Sequence, residues 1–324
     1  MSPFALTRTL PLDATAAALR ADVATGLTRS PKELPPKWFY DARGSELFDE
    51  ITELPEYYPT RAEREILVAR AGEIAEATGA RTLVELGSGS SDKTRHLIRA
   101  LPALDTYVPV DVSESALTGA AEVLLAEHPE LTVHALIADF QYGLPLPDTP
   151  GPRLLAFLGG TIGNLQPDER AAFFAGVRAE LAPGDALLLG TDLVKDERTL
   201  VAAYDDAAGV TAAFNKNVLE VVNRELGADF DPGDFDHVAL WDAEREWIEM
   251  RLRARSAVVV KVPALDLAVH FAAGEELRTE VSAKFRRAGV RAELAAAGLE
   301  STHWWTDEQG RFALSLSVPV SLPV

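Results

Sequence analysis

The chain has 324 residues, 47% hydrophobic and 25% charged, the mixture of a soluble globular protein with room for one large domain or two modest ones. It has no cysteine, which excludes disulfides, a thiolate nucleophile and thiolate metal sites, and its six histidines form no metal-ligand spacing. A net charge of −19 argues against nucleic acid, whose phosphates call for a basic face; no apolar run nears the ~20 residues of a membrane span, and no signal-peptide pattern opens the chain, so a cytoplasmic protein is expected.

Residues 13–25 read as an amphipathic helix, with Asp13 as N-cap and Gly26 as stop. Pro31 to Pro36 is a rigid non-helical stretch. Thr60-Arg61-Ala62-Glu63 has the form of a capping box and predicts a helix from there to Thr78, ended by Gly79. An alternation of strands and helices follows: strand 82–86, helix 92–100, strand 106–110, helix 113–127, strand 131–137, strand 154–158, helix 167–181 and strand 186–191. The strands are almost wholly apolar, as in a parallel sheet covered on both faces. Pro109 cannot donate to a ladder and is expected near the strand end. After Asp196 the rhythm breaks. A helical stretch over 197–226 leads to the breaker-rich loop 229–234 and then to antiparallel-looking runs at 238–242, 247–254, 257–262 and 265–271. A helix at 290–297 and a hairpin of 299–306 with 312–318 close the pattern. The expectation is an α/β core with a large insertion before its last strands.

The first strand ends in Glu85-Leu86-Gly87-Ser88-Gly89 and runs into a helix. Glycines at such a turn let the backbone approach a ligand; an ordinary strand-to-helix turn is the plainer alternative. The third glycine of the dinucleotide pattern is missing, because Ser90, Ser91 and Asp92 follow. Asp111 ends the second strand, where an acid can hold a ribose diol, or simply face solvent. Asp139-Phe140 ends the third, where an acid and a ring can take an adenine. Lys93, in the first turn of a helix, opposes the macrodipole unless a carboxylate lies there; S-adenosylmethionine carries one.

These residues resemble the seven-stranded, Rossmann-like class I S-adenosylmethionine methyltransferases, which implies strand order 3-2-1-4-5-7-6. A narrower resemblance covers nearly the whole chain. Residues 34–41, 54–61, 157–164, 192–196, 204–206 and 279–282 look like the histidine-specific Nα-methyltransferases of ergothioneine biosynthesis. One small departure is Gly160, where relatives are expected to have serine. The resemblance implies a methyltransferase domain of residues 61–195 plus 285–324, and a second, α+β substrate domain of residues 1–60 plus 196–284. It implies that Gly87, Lys93, Asp111, Asp139 and Phe140 contact S-adenosylmethionine. Tyr57, Asn164, Tyr204, Glu280 and Ser282 would hold histidine, and Tyr40, Gly159, Thr211, Phe214 and Met250 would line its pocket. Tyr40 and Tyr57 would position the amine.

The chemistry agrees with that assignment. Methyl transfer from a sulfonium needs positioning and exclusion of water, and no metal or covalent nucleophile. Asn164 and Tyr204 are neutral donors suited to a carboxylate. Glu280 and Ser282, two apart in an alternating segment, point the same way and can bond both nitrogens of an imidazole; a solvent-facing pair is the plainer alternative. The aromatic faces of Tyr40, Tyr57 and Phe214 suit a methylated ammonium. The expected product of full methylation is a trimethylammonium betaine, made by a monomer acting on a small molecule. The alternatives are an Nα-methyltransferase for another amino acid such as tryptophan or tyrosine, a non-catalytic S-adenosylmethionine-binding module, and an NAD-dependent enzyme, against which the missing glycine speaks.

Overall fold

The computed structural model describes residues 3–11, 13–89, 93–139 and 143–320. In chain order these form β1 (Phe4–Arg8), α1 (Ala14–Gly26), β2 (Lys32–Glu33), α2 (Ala42–Glu53), α3 (Pro59–Thr78), β3 (Thr82–Leu86), α4 (Thr94–Ala100), β4 (Thr106–Asp111), α5 (Glu114–Glu127) and β5 (Thr132–Ile137). There follow β6 (Arg153–Phe157), α6 (Pro167–Glu180), β7 (Ala186–Asp192), α7 (Glu197–Ala202), α8 (Val210–Leu226), β8 (Phe235–Asp242), β9 (Trp247–Ala254), β10 (Val258–Val262), β11 (Leu267–Phe271), β12 (Glu276–Ala283), α9 (Arg287–Ala296), β13 (Leu299–Thr306) and β14 (Phe312–Pro319). They fall into two compact units, one of Met1–Pro11, Pro59–Leu193 and Phe285–Val324, the other of Leu12–Tyr58 and Val194–Lys284.

The first unit is an α/β fold around a mixed eight-stranded sheet of order β1-β5-β4-β3-β6-β7-β14-β13. The seven-stranded expectation is corrected at its edge, where β1 adds parallel to β5 with Phe4 opposite Val133. β1 also moves residues 4–8 out of the expected substrate domain and into this unit. Phe4 and Ala5 are half-buried and Leu6 to Arg8 exposed, so its apolar pattern is faint; backbone pairing to β5 is what holds it. The neighbouring strands are buried along nearly their whole length, with all five residues of β3 and all seven of β7 inside. β14 pairs antiparallel with β7 and β13. Among the helices, α3 packs on β14 and α5 on β5, while Arg170 of α6 grips Glu293 of α9 with two bonds of 2.9 and 2.7 Å. Pro109 is not at the strand end. It lies inside β4, opposite Glu85, and the ladder from β4 to β5 steps from Tyr107 to Val110 across it. A missing donor is tolerated where one ladder is allowed to lapse.

The second unit carries a four-stranded sheet of order β2-β12-β9-β8 and the separate hairpin of β10 and β11. α8 lies against β8 and β9 and also against α1 and α2. The single helical stretch expected over 197–226 is two helices, because Gly209 takes a left-handed φ of +75° and starts α8 afresh. α2 and β12 were not among the expected elements. α2 is capped by Asp41, whose carboxylate accepts from the Gly44 amide at 2.8 Å. No described helix is long and apolar enough to cross a membrane, and no described group of His, Asp or Glu is placed to hold a metal ion.

Candidate functional site

In the first unit the glycine turn is built as its sequence suggests. Gly87 and Gly89 both have left-handed φ values, +67° and +49°. The Gly87 amide donates to the Val110 carbonyl at 2.8 Å, which ties the end of β3 to the end of β4. Asp111 accepts from the Gly89 amide at 3.1 Å and the Ser113 amide at 3.0 Å, so its carboxylate is oriented by the two loops that follow these strands. Asp139 lies half-buried just beyond β5. Phe140 lies outside the described residues.

Lys93 immediately precedes α4, and its amine donates to a carboxylate of the chain itself, Glu63. Glu63 is fully buried. Both its oxygens also accept from the Gly159 amide, at 2.8 and 3.0 Å. The expected capping box is therefore not formed: α3 begins at Pro59, a residue pre-set for a first helical turn, and Glu63 turns to the ends of β6 and α4 instead. Space for it is kept by Gly190, where a Cβ would come within 2.3 Å of Glu63 Oε1. Gly159 itself has a φ of +78° and lies beneath the lysine, 3.4 Å from Lys93 Nζ to the place of a Cβ. Gly159 and Gly160 then turn the chain into a short 3-10 helix, Thr161–Asn164, that ends on half-buried Asn164.

Behind the turn, Glu85 accepts hydrogen bonds from Thr94 and Tyr107. Burial pushes its carboxyl up to about 7, against the opposing pull of those two bonds and of Lys93. Glu85 thus keeps its proton in the folded protein at pH values where the unfolded chain, at 4.5, has released it. Its contribution is full below about 4.5 and is lost as pH rises through about 7, on the order of 3 kcal/mol in all. Glu85→Gln is expected to flatten that stretch of the stability–pH curve in urea titrations; an unchanged slope would show that Glu85 titrates normally.

In the second unit the aromatic residues meet. Ring centroids are 4.7 Å apart for Phe39–Phe214, 5.4 Å for Tyr40–Phe214, 5.5 Å for Tyr40–Phe48, 6.1 Å for Phe48–Tyr57 and 6.4 Å for Tyr57–Tyr204. Phe214 is buried, whereas Tyr40 keeps 51% of its surface. Desolvation by the surrounding protein, then the charge of Glu280, then Tyr204, raise the Tyr40 hydroxyl above its ordinary value even so. Tyr40 is therefore a neutral phenol at neutral pH and not a phenolate base. Met250 and Thr211 are buried, the first paired with Glu280 across β9 and β12, the second with its amide on Asp206 at 2.7 Å.

β12 brings Glu280 and Ser282 together after a register shift between Arg278 and Glu280. The Ser282 hydroxyl lies 2.8 Å from that of Tyr204, and Lys284 Nζ donates to both at 2.8 Å. Tyr204 is thus part of a hydroxyl cluster and not a donor standing by itself. Thr279, on the alternate face, donates its hydroxyl proton to Asn215 Oδ1, and its oxygen lies 3.0 Å from the Met250 carbonyl. Asn215 Nδ2 is 2.8 Å from His237 Nδ1, and His237 Nε2 is 2.8 Å from the Tyr204 carbonyl. An amide nitrogen only donates, so Nδ1 accepts and the ring proton sits on Nε2. Burial, which lowers the His237 pKa, agrees with a neutral ring. This chain from Thr279 to Tyr204 braces the backbone on both sides of the cluster.

Lys284, Phe48 and the Asn215–His237 pair were not singled out in the sequence, and Glu63 was read only as part of a helix cap. Lys284 had a signal, since Glu280, Ser282 and Lys284 continue one alternation. Glu63 had a misleading one, the capping-box spacing.

A profile of the family described as histidine-specific, S-adenosylmethionine-dependent methyltransferases matches residues 19–319. The chain belongs to this family. It is similar to a histidine N-alpha-methyltransferase of Mycolicibacterium smegmatis, 59% identical over 95% of this chain and 97% of the relative. To one of Mycobacterium tuberculosis it is 57% identical, over 94% and 96%. It is also similar, at 26% identity over 91% of each chain, to an L-tryptophan methyltransferase of Psilocybe serbica. As a member of the histidine-specific methyltransferases, the chain uses S-adenosylmethionine as methyl donor.

Proposed function

We propose that this chain methylates the α-amino nitrogen of L-histidine up to three times, giving hercynine on the route to ergothioneine. The observation that carries the reading is near full-length identity of 59% to a histidine N-alpha-methyltransferase. The structure supplies residues that fit. Gly87 and Gly89 leave the backbone open to a ligand, and Asp111, steadied by two amides, is an acceptor for a ribose diol. Asp139 and Phe140 are assigned to the adenine. Lys93, held by Glu63 over Gly159, is the cation for the methionine carboxylate. S-adenosylmethionine supplies a methyl group on a sulfonium, a good leaving group. The protein's task is alignment and exclusion of water.

Glu280 and Ser282 are assigned to the imidazole, and Asn164 with Tyr204 to the substrate carboxylate. Met250, Thr211 and Phe214, all of the second unit, are assigned to the lining around the substrate. Tyr40 and Tyr57 position the amine. Tyr40 keeps its proton, so it orients the nitrogen by hydrogen bonding and does not remove its proton as a phenolate. The ring series from Phe39 to Tyr204 suits the growing positive charge of a methylated ammonium, at about 0.5–2 kcal/mol for a well-placed face.

Incubation with S-adenosylmethionine and L-histidine is expected to give +14, +28 and +42 products by mass spectrometry; the absence of all three would sink the reading. Glu280→Ala is expected to lower kcat/KM for histidine by at least about tenfold, the cost of one lost charged hydrogen bond, and to narrow the preference over tryptophan and tyrosine. Unchanged histidine kinetics would remove Glu280 from that role. Distinct turnover of tryptophan by the unaltered chain would favour the second reading, a tryptophan Nα-methyltransferase, which similarity to the Psilocybe serbica enzyme keeps in view.

A further inference from the structure

His237 lies on β8 with its side chain 4% exposed, and each ring nitrogen has a partner on another element. Nε2 is 2.8 Å from the carbonyl of Tyr204, just beyond α7, and Nδ1 is 2.8 Å from Asn215 Nδ2 on α8. A main-chain atom decides which nitrogen carries the proton. Asn215 Nδ2 also lies 3.1 Å from the Arg251 carbonyl, which only accepts. The amide nitrogen must face that carbonyl, and the amide oxygen must face Thr279, whose hydroxyl donates to it. One Nδ2 proton goes to Arg251 and the other to His237. Nδ1 therefore accepts, and the ring N–H is on Nε2, aimed at the Tyr204 carbonyl. The Asp205 carboxylate, 3.9 Å from Nε2 and mostly exposed, is beyond hydrogen-bond reach. With the proton on Nδ1 instead, two N–H groups would meet at Asn215 and two lone pairs at Tyr204.

We propose that His237 is a positioning residue for the substrate carboxylate: as the Nε2–H tautomer, imposed by Asn215, it holds the Tyr204 main chain where the phenol meets that carboxylate. The proposal rests on the histidine reading above, in which Tyr204 is assigned to the carboxylate. The turn that carries Tyr204 is built to be held. The Tyr204 amide donates to the Val201 carbonyl at 2.9 Å, and Asp206 accepts from the Val210 and Thr211 amides at 3.0 and 2.7 Å. These bonds fasten the turn to α7 and α8, and His237 fastens it to the sheet. Thr279 immediately precedes Glu280 on β12. One amide, Asn215, therefore ties the strand assigned to the imidazole to the turn assigned to the carboxylate. Hydrogen bonds in series, from Thr279 to Asn215, to His237 and to Tyr204, set the span between the two ends of one substrate molecule.

The tautomer is read by ring-nitrogen NMR of the unaltered chain carrying isotope-labelled histidine, with His237→Gln identifying the signal. A protonated Nε2 and a bare Nδ1 are expected at neutral pH; the opposite tautomer or a charged ring would overturn the proposal. His237→Leu, which neither gives nor takes a hydrogen bond, is expected to raise the histidine KM by about tenfold, with kcat changed far less and S-adenosylhomocysteine affinity as it was. His237→Gln keeps a donor and an acceptor and is expected to recover most of that loss. In a Tyr204→Phe background, His237→Leu is expected to add little, because both changes act through one hydroxyl. An unchanged KM, a loss confined to kcat, or full additivity in the double variant would each overturn the proposal. If circular dichroism shows His237→Leu unfolded, the NMR spectrum and His237→Gln decide it. The glutamine variant is then expected to stay within about threefold of the parental KM, and a rise of about tenfold overturns the proposal. Absence of any methylated histidine from the unaltered chain would instead remove the reading on which the proposal stands, and would leave the tautomer result untouched.

Discussion

Glu63→Ala is expected to destabilise the first unit by about 3 kcal/mol and to weaken S-adenosylhomocysteine binding at least about tenfold. The carboxylate is fully buried and is the partner of both the Lys93 amine and the Gly159 amide. Removing it leaves a cation and an amide to find water in a space lined by Gly190 and Gly159. Deleting one partner of a buried pair costs about 3–5 kcal/mol; Lys93 keeps 23% of its side chain exposed and can recover some hydration, so the lower figure applies. In a unit of this size that is a fall of about 6–12 °C in melting temperature. Glu63→Gln keeps the shape and one acceptor, and is expected to fall between. A melting temperature and ligand affinity equal to the parent's would show that Glu63 is a bystander.

Gly44→Ala is the second large effect. An alanine Cβ here would come within 1.7 Å of the Phe39 carbonyl oxygen and 2.8 Å of its carbon, both main-chain atoms that cannot swing aside. Asn217 already binds that carbonyl at 3.2 Å and Asp41 at 2.8 Å, so the short turn Pro36–Phe39 is fixed from two directions. The substitution must push α2 from the turn that carries Phe39 and Tyr40. A loss of about 3 kcal/mol or more is expected, at the upper end of overpacking. Because the damage is confined to the second unit, histidine binding should fail in calorimetry while S-adenosylhomocysteine still binds. Full histidine affinity in a variant of parental stability would refute the steric account.

Legibility in the sequence followed burial. β3 and β7 are fully inside, and their uninterrupted apolar runs located them. β1 exposes three of its five residues and depends on main-chain pairing, which leaves no trace in side-chain pattern. α2 was hidden because its apolar residues are few, Leu47, Phe48 and Ile51 among charges. In the site, local geometry was legible and long-range pairing was not. The glycine turn and the acid at the end of β4 could be read because neighbouring residues impose their geometry. Glu63 could not, since its partners Lys93 and Gly159 are remote in sequence and its local spacing mimicked a helix cap. The identity of the methyl acceptor came chiefly through family resemblance. The meeting of Tyr204, Ser282 and Lys284 needed coordinates, because alternation gives a shared face and not the partner that reaches it from another element.

The eight-stranded sheet has a consequence in time. Phe4 pairs with Val133, and the last parallel strand, β7, meets its antiparallel neighbour only when Phe312–Pro319 exists. A ribosome making this chain therefore releases β1 long before β5 is there to receive it, and β7 must wait while the whole of Val194–Lys284 emerges. Pairings so distant in sequence are slow to close and leave strand edges open meanwhile. While β7 waits, its edge toward β14 stays open.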